Sequence, residues 1–141
     1  MHSEILEAIF GRWPTFHDAE VVQVRLDRGK QATDGTEPPT MEIDVHIFEM
    51  TDEVGPRGPY VHRNHTLTTL LFKGIDQVHM DEFNQQNVLF DLEMERGPDP
   101  ERPAWTVALQ PPFGLGGSFT CEEIEVLQAV PFRPPDRLLE T

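Results

Sequence analysis

The sequence has little cysteine, little positive charge and no long apolar run, and each shortage excludes a class of protein. Its single cysteine, Cys121, excludes an intramolecular disulfide and is typical of a reducing compartment. No apolar run approaches the ~20 residues that a membrane-spanning helix needs. Glu4 lies where a secretory signal would carry positive charge. The sequence therefore predicts a cytoplasmic protein.

The shortage of positive charge is the strongest global signal. Eleven lysines and arginines stand against twenty-five aspartates and glutamates, which leaves a net charge of −14. Such a field repels nucleic-acid phosphates and anionic membranes, so neither is an expected partner. It attracts a basic protein. An equally open interpretation is that the charge only keeps the protein in solution.

Alternation of apolar and polar residues predicts a mainly β protein. We expect about seven or eight short strands, a short amphipathic helix over residues 3–10 and no βαβ rhythm. This pattern favours an antiparallel β-sandwich or a strongly curved sheet, with the helix on an end or an open face. Residues 1–130 are expected to form one domain, and the Pro-rich residues 131–141 a surface tail.

Two predicted strands carry specific expectations about which side chains face the core. The strand over residues 20–28 should turn Val22, Val24 and Leu26 to one face. The strand over residues 88–96 should separate two sets of side chains. These are the apolar Val88, Phe90, Leu92 and Met94 and the acidic Asp91, Glu93 and Glu95. The polar segments 29–39 and 51–59 are expected to be loops.

Outward carboxylates form the first candidate site. The predicted second strand covers residues 40–49 and should turn Glu42 and Asp44 outward and four apolar side chains inward: Met41, Ile43, Val45 and Ile47. Asp91, Glu93 and Glu95 lie on the predicted fifth strand, residues 88–96. If these strands are neighbours, the five side chains form one negative face. Like charges that face one another cost stability, and a cationic protein partner would relieve that cost. A dispersed, solvated surface is the alternative interpretation.

The stretch from Trp13 to Glu20 is the second candidate. Trp13 and Phe16 are expected to anchor a corner between the helix and the first strand in the core. Asp18 is expected to accept hydrogen bonds from backbone amides of the turn, and His17 to be a partly buried, satisfied histidine. Adjacent residues of an extended segment point to opposite faces, so His17 and Asp18 should not form a catalytic relay. A direct functional role of the stretch is the alternative.

Six histidines raise the question of a metal site. The candidate ligands are His17, His46, His62, His65 and His79, with Asp18 and Cys121. The sequence has no CxxC or HExxH spacing, so we expect no metal and no cofactor. Cys121 and Ser118 lie in no recognisable nucleophile motif, and we expect no enzyme.

Several segments resemble the immunity protein 50 family. They are Trp13-Pro-Thr-Phe-His-Asp-Ala-Glu20 and residues 45–51, 65–72, 83–89 and 114–119. The resemblance spans most of residues 5–130. It implies a small cytoplasmic protein of bacterial polymorphic-toxin systems, which binds and neutralises a cognate toxin domain. The resemblance carries over no catalytic or toxin-contact residues.

The resemblance and the charge together predict an immunity protein whose acidic side chains, alongside the 51–59 loop, contact a basic toxin. Two alternatives stay open. One is a small-ligand or metal-binding domain that uses His17, His46 and His65 inside a curved sheet. The other is a structural homo-oligomer, in which an exposed strand edge pairs with its copy. A homodimer is also compatible with an immunity protein.

Overall fold

The computed structural model describes residues 4–33, 35–50, 62–99, 104–111 and 114–133. These ranges contain one helix and ten strands. In chain order they are α1 (Glu4–Phe10), β1 (Glu20–Asp27), β2 (Lys30–Ala32), β3 (Gly35–Glu37), β4 (Thr40–Met50), β5 (His62–Lys73), β6 (Asp76–Asp81), β7 (Asp91–Arg96), β8 (Trp105–Gln110), β9 (Gly116–Cys121) and β10 (Glu123–Pro131). The predicted loop over residues 51–59 lies outside the described residues.

Eight of the strands form two four-stranded antiparallel sheets. The first sheet has the order β1-β4-β5-β10, and the second sheet has the order β6-β9-β8-β7. The prediction of an antiparallel, sandwich-like β protein with a short N-terminal helix is confirmed. The described residues contain ten strands rather than seven or eight, because the expected loop over residues 29–39 contains the hairpin of β2 and β3.

The apolar core lies between the two sheets. The inward side chains of β4 are almost fully buried: Met41, Ile43, Val45 and Ile47. Phe72 of the first sheet meets Phe119 of the second edge to face, with ring centroids 5.0 Å apart. Such a contact adds about 1 kcal/mol to the burial of the two rings. The outer faces of the two sheets consequently point away from each other.

The helix α1 packs its apolar side on this core beside β10. Leu6 is fully buried, and Ile5 and Phe10 are partly buried. Gly11 ends the helix with a φ of 78°, and its amide donates to the Glu7 carbonyl at 2.8 Å. Glycine adopts this left-handed conformation without a steric penalty, which is why it commonly follows a helix.

The chain crosses between the sheets at two adjacent points. One crossing lies between β5 and β6, and the other is the single residue Glu122 between β9 and β10. The Glu122 amide donates to the Lys73 carbonyl at 2.8 Å, so the two crossings lie side by side. Although only one residue separates them, β9 and β10 therefore lie in different sheets.

The expected orientation of β1 and the expected start of the strand over residues 88–96 are wrong. The register of β1 shifts between Val21 and Gln23, so Val21 is buried while Val22 is exposed. An extra residue in a strand reverses the faces on either side of it, which the simple alternation could not include. At the end of β1, Leu26 is 60% exposed. β7 begins at Asp91 rather than at residue 88, because residues 87–89 bond to the start of β1 instead.

The predicted tail begins inside the first sheet. β10 extends to Pro131, and the Phe132 amide donates to the His65 carbonyl at 2.9 Å. Residues 134–141 lie outside the described residues. The division of the chain into a domain over residues 1–130 and a tail over 131–141 stays a prediction.

Candidate functional site

The five acidic residues of the predicted partner surface divide between the two sheets. Glu42 and Asp44 lie on β4 of the first sheet, whereas Asp91, Glu93 and Glu95 lie on β7 of the second. Since β4 and β7 are not neighbours, the two groups do not form one continuous negative face. Each group has its own electrostatic environment.

Arg25 pairs with the acidic group of the first sheet. Its Nη1 and Nη2 donate to the Asp44 carboxylate at 2.7 and 2.9 Å, and its Nε donates to Glu42 at 2.8 Å. The Thr69 hydroxyl also donates to Asp44, at 2.8 Å. The pKa of Asp44 is lowered despite its burial, mainly because Arg25 donates hydrogen bonds to the carboxylate. The same bonds, from Asp44 first and Glu42 second, raise the pKa of Arg25.

Lys73 pairs with further carboxylates of the same face. Its Nζ lies 2.9 Å from Glu125 Oε1 and 3.8 Å from Glu123 Oε2. The hydrogen bond to Glu125 is the main reason that the pKa of Lys73 is raised. The outer face of the first sheet therefore compensates much of its negative charge internally.

The outer face of the second sheet is different. Asp91, Glu93 and Glu95, which we call the β7 carboxylates, stand opposite the uncharged Gln110, Ala108 and Thr106 of β8. Asp76 and Asp81 lie on β6, at the other edge of the sheet. In the part of the chain that the structure describes, no lysine or arginine forms an ion pair with any of these five carboxylates. Their negative charge is available to a partner.

The stretch from Trp13 to Glu20 turns the chain from α1 into β1. Phe16 and Pro14 are buried, and the Trp13 ring packs on the Phe16 ring with centroids 5.8 Å apart. The Ala19 amide donates to the Phe16 carbonyl at 3.0 Å and closes the turn. Aromatic packing and this bond hold the stretch against the core.

Backbone hydrogen bonds fasten this turn to residues 87–90. The Asp18 amide donates to the Leu89 carbonyl at 2.9 Å, and the Leu89 amide donates to the Ala19 carbonyl at 2.8 Å. Asp18 has a φ of 67°, in the left-handed region that aspartate adopts more readily than most other residues with a side chain. The expectation that His17 and Asp18 point to opposite faces is wrong, because this φ brings His17 Nε2 within 3.7 Å of Asp18 Oδ2.

His17 and Phe90 form an exposed pair beside the β7 carboxylates. His17 Nδ1 lies 3.0 Å from the Phe90 carbonyl oxygen, so this nitrogen carries the proton in the neutral ring. The two rings meet edge to face, with centroids 5.0 Å apart. The His17 side chain is 52% exposed and Phe90 is 58% exposed. We call His17, Asp18 and Phe90 the exposed corner.

The exposure of Phe90 differs from what the sequence predicts. Phe90 alternates with Leu92 and Met94, and this pattern placed it on the inward face. Leu92 and Met94 do pack towards the core, but Phe90 precedes the first residue of β7. Nothing in the sequence signals this, because it depends on the bonds of residues 87–89 to β1.

Asn87 is a second residue that the sequence analysis missed. Its side chain is buried, and its Oδ1 accepts from the amides of Asn84 and Leu115 at 2.9 and 3.1 Å. Its Nδ2 donates to the Asn84 backbone carbonyl at 2.8 Å, and the backbone carbonyl of Asn87 accepts from the Val21 amide. Asn87 thereby joins two segments of the family resemblance, residues 83–89 and 114–119, to Val21 of β1. A polar residue directly before the apolar run 88–90 was the available signal.

Two of the histidines meet on the outer face of the first sheet. His46 Nε2 lies 2.8 Å from His65 Nδ1, and the Phe48 ring lies 5.6 Å from each imidazole. His17 belongs to the exposed corner instead. Within the described ranges, no three histidine, cysteine, aspartate or glutamate side chains are grouped as a metal site requires. Of His62, the structure describes the backbone but not the side chain.

Cys121 faces the core from β9. Burial, with a smaller contribution from the charge of Glu122, raises the pKa of its thiol to about 12. Because the thiolate is the reactive form, Cys121 is a poor nucleophile at neutral pH. Its environment is that of a small apolar side chain.

None of the described segments is a helix of the length and hydropathy needed to span a bilayer. The chain matches no curated protein and no solved structure. The family model described as Immunity protein 50 matches residues 2–131, which include every helix and strand from α1 to β10. Since this match covers most of the chain, the protein belongs to the immunity protein 50 family.

Proposed function

We propose that this protein is a cytoplasmic immunity protein that binds a cognate toxin domain of a polymorphic-toxin system and neutralises it through an acidic surface. The family supports an immunity role. The net charge of −14 supports a basic partner, because opposite charge steers association. The observation that carries the acidic surface is the set of β7 carboxylates, which have no cationic partner among the described residues.

The five proposed contact residues should contribute unequally. Glu42 and Asp44 already bond to Arg25, so a toxin cation would have to compete with that guanidinium. The β7 carboxylates present their charge without such competition. We therefore expect Asp91, Glu93 and Glu95 to dominate the electrostatic attraction, with Glu42 and Asp44 contributing less.

Neutralisation in this proposal is binding without catalysis. A small domain that covers the active surface of a toxin needs fast and tight association rather than a reaction of its own. The raised thiol pKa of Cys121 agrees with this. The exposed position of His17 and Asp18 also agrees with binding without catalysis, since no serine or cysteine forms a hydrogen bond with the pair within the described residues.

Co-expression tests the immunity function. The product of the neighbouring open reading frame is expressed alone and together with this protein, and growth and co-purification are scored. We expect the product alone to arrest growth, and the pair to grow and to yield a stable complex. A harmless neighbour that does not co-purify would contradict the proposal.

Association kinetics test the acidic surface. Glu93→Lys with Glu95→Lys should lower the association rate constant about tenfold at low salt and flatten its salt dependence. The matched control is Glu7→Lys with Glu37→Lys, which changes the net charge equally at exposed positions outside both four-stranded sheets. We expect the control to lower the rate only about twofold, by its effect on long-range charge. Equal effects of the two variants would show that the second sheet has no special role.

A further inference from the structure

We propose that the exposed corner (His17, Asp18 and Phe90) is the anchor of the toxin-binding surface, with the Phe90 ring entering an apolar pocket that is rimmed by lysine or arginine. This inference rests on the proposed function and names the part of the surface that holds the partner. The β7 carboxylates begin at the residue after Phe90. The anchor is therefore adjacent in the chain to the first of these carboxylates.

Phe90 is exposed although the nearest leucines on either side of it in the chain are buried. Leu89 and Leu92 lie in the core, whereas Phe90 is 58% exposed. Removal of an aromatic ring from water is a main source of binding free energy, and aromatic residues are enriched at protein interfaces. An exposed ring on a segment that is bonded to the core is thus suited to bind a partner's pocket.

The backbone around Phe90 is held on both sides. The Phe90 amide donates to the Gln110 carbonyl at 2.6 Å, and its carbonyl accepts from His17 Nδ1 at 3.0 Å. The preceding Leu89 is bonded through both its amide and its carbonyl to the turn at Asp18 and Ala19. The His17 ring also meets the Phe90 ring edge to face. Because the ring is positioned in advance, binding requires little further loss of conformational freedom.

The charges around the corner select the partner. Asp18 lies within the corner, and Asp91 and Glu93 follow Phe90 along β7. Arg96, at the far end of β7, lies over the Trp105 ring at 5.9 Å. Among the described residues, Arg12 forms no ion pair with Asp18 or Asp91. A pocket that receives Phe90 is therefore complementary if its rim carries lysine or arginine.

The same charges argue against a second copy of this chain as the occupant. Two corners that met around a symmetry axis would bring Asp18 and Asp91 of one protomer towards their counterparts in the other. Like charges at close range disfavour such a contact. The toxin domain, a basic protein in the proposed function, is the partner that fits.

The experiment measures dissociation from the product of the neighbouring open reading frame, inactivated by mutation and immobilised. Phe90→Ala should raise the dissociation rate constant about 30-fold, as loss of an interface hot spot does. Phe90→Leu, which keeps part of the apolar area, should fall between Phe90→Ala and the wild type. Leu26→Ala is the matched control, because Leu26 is 60% exposed and lies at the opposite end of β1 from the corner. We expect it to change the rate less than about twofold.

The outcomes separate the two proposals. If the wild type neither binds nor protects, the proposed function is wrong, and the corner assignment with it. If the wild type binds and Phe90→Ala dissociates as slowly as the wild type, only the corner assignment is wrong. Sedimentation of the free proteins supplies the remaining outcome: a wild-type dimer that Phe90→Ala converts to a monomer would make the corner a self-contact and overturn the assignment.

Discussion

Arg25 determines how the acidic residues of the first sheet behave. β1 pairs with β4 so that Arg25 stands opposite Glu42, and its planar guanidinium also reaches Asp44. Two parallel N–H···O bonds to one carboxylate are stronger than a single contact, and lysine could not make them. The pair is partly buried, so removal of one partner leaves a charge with poor solvation.

The Asp44 carboxylate should make stability depend on pH. Because its pKa is lower in the folded than in the unfolded protein, it stabilises the fold above the ordinary aspartate pKa of about 4, and this contribution disappears as the pH falls through the folded pKa. Asp44→Asn should lower the free energy of unfolding by about 2 kcal/mol at pH 7. The measurement is urea denaturation of both proteins from pH 7 to pH 2.

The difference between wild type and Asp44→Asn should shrink below pH 4, since protonated aspartate resembles asparagine. The control is Glu37→Gln, at an exposed position of β3, which should leave the free energy of unfolding within about 0.5 kcal/mol of the wild type. A deficit of Asp44→Asn that stayed constant with pH would contradict the role of the ionised carboxylate.

At the scale of elements, the connections rather than the strands assemble the exposed corner. The start of β1 at Val21, the segment 83–90 and the turn before β9 meet at the Asn87 side chain. Gly114 belongs to this junction. A Cβ there would press on the Gln86 carbonyl oxygen and lie 3.0 Å from Asn87 Cα. The close approach of the two loops therefore requires glycine.

Gly114→Ala should accordingly destabilise the protein more than Gly11→Ala. Both glycines have similar positive φ values, 85° and 78°, but a Cβ at Gly11 meets nothing within 4 Å. Gly11→Ala should lower the free energy of unfolding by about 1 kcal/mol, the cost of the backbone conformation alone. Gly114→Ala adds the collision and should cost about 3 kcal/mol or more. Chemical denaturation checks both, and equal losses would show that the loop beside Gly114 moves away freely.

At the scale of the whole molecule, negative charge opposes the compact state. The net charge is −14, and the second sheet concentrates carboxylates that no lysine or arginine pairs with in the described ranges. Mutual repulsion of this kind lowers stability, and dissolved salt screens it. The partly buried Arg25 pair on the first sheet is screened less than the exposed carboxylates.

Salt should therefore stabilise this protein. Raising sodium chloride from low concentration to 0.5 M should raise the Tm by about 4 °C, which corresponds to roughly 1 kcal/mol for a chain of this size. Calorimetry measures the shift. Glu93→Lys with Glu95→Lys should show a smaller increase, because part of the repulsion is already gone. A Tm that fell with salt would mean that attractive ion pairs outweigh the repulsion.

The sequence by itself determined what depends on neighbours along the chain. Period-two alternation placed Met41, Ile43, Val45 and Ile47 on one face of β4, and the amphipathic pattern predicted the short helix over residues 3–10. Eight of the ten strands were predicted, and the two missing strands are three residues each. Composition alone set the net charge and the kind of partner to expect.

Only the tertiary structure decided which carboxylates are paired and which aromatic rings, Phe83 and Phe90 among them, are exposed. Arg25 meets Glu42 across 17 residues of chain, and His17 meets the Phe90 carbonyl across 73. Contacts of that separation depend on strand register, on the bulge in β1 and on which strand residues 87–89 join. A shift of one residue in any of these turns the side chains to the opposite face of the sheet. No local pattern in the sequence could therefore have specified the contacts.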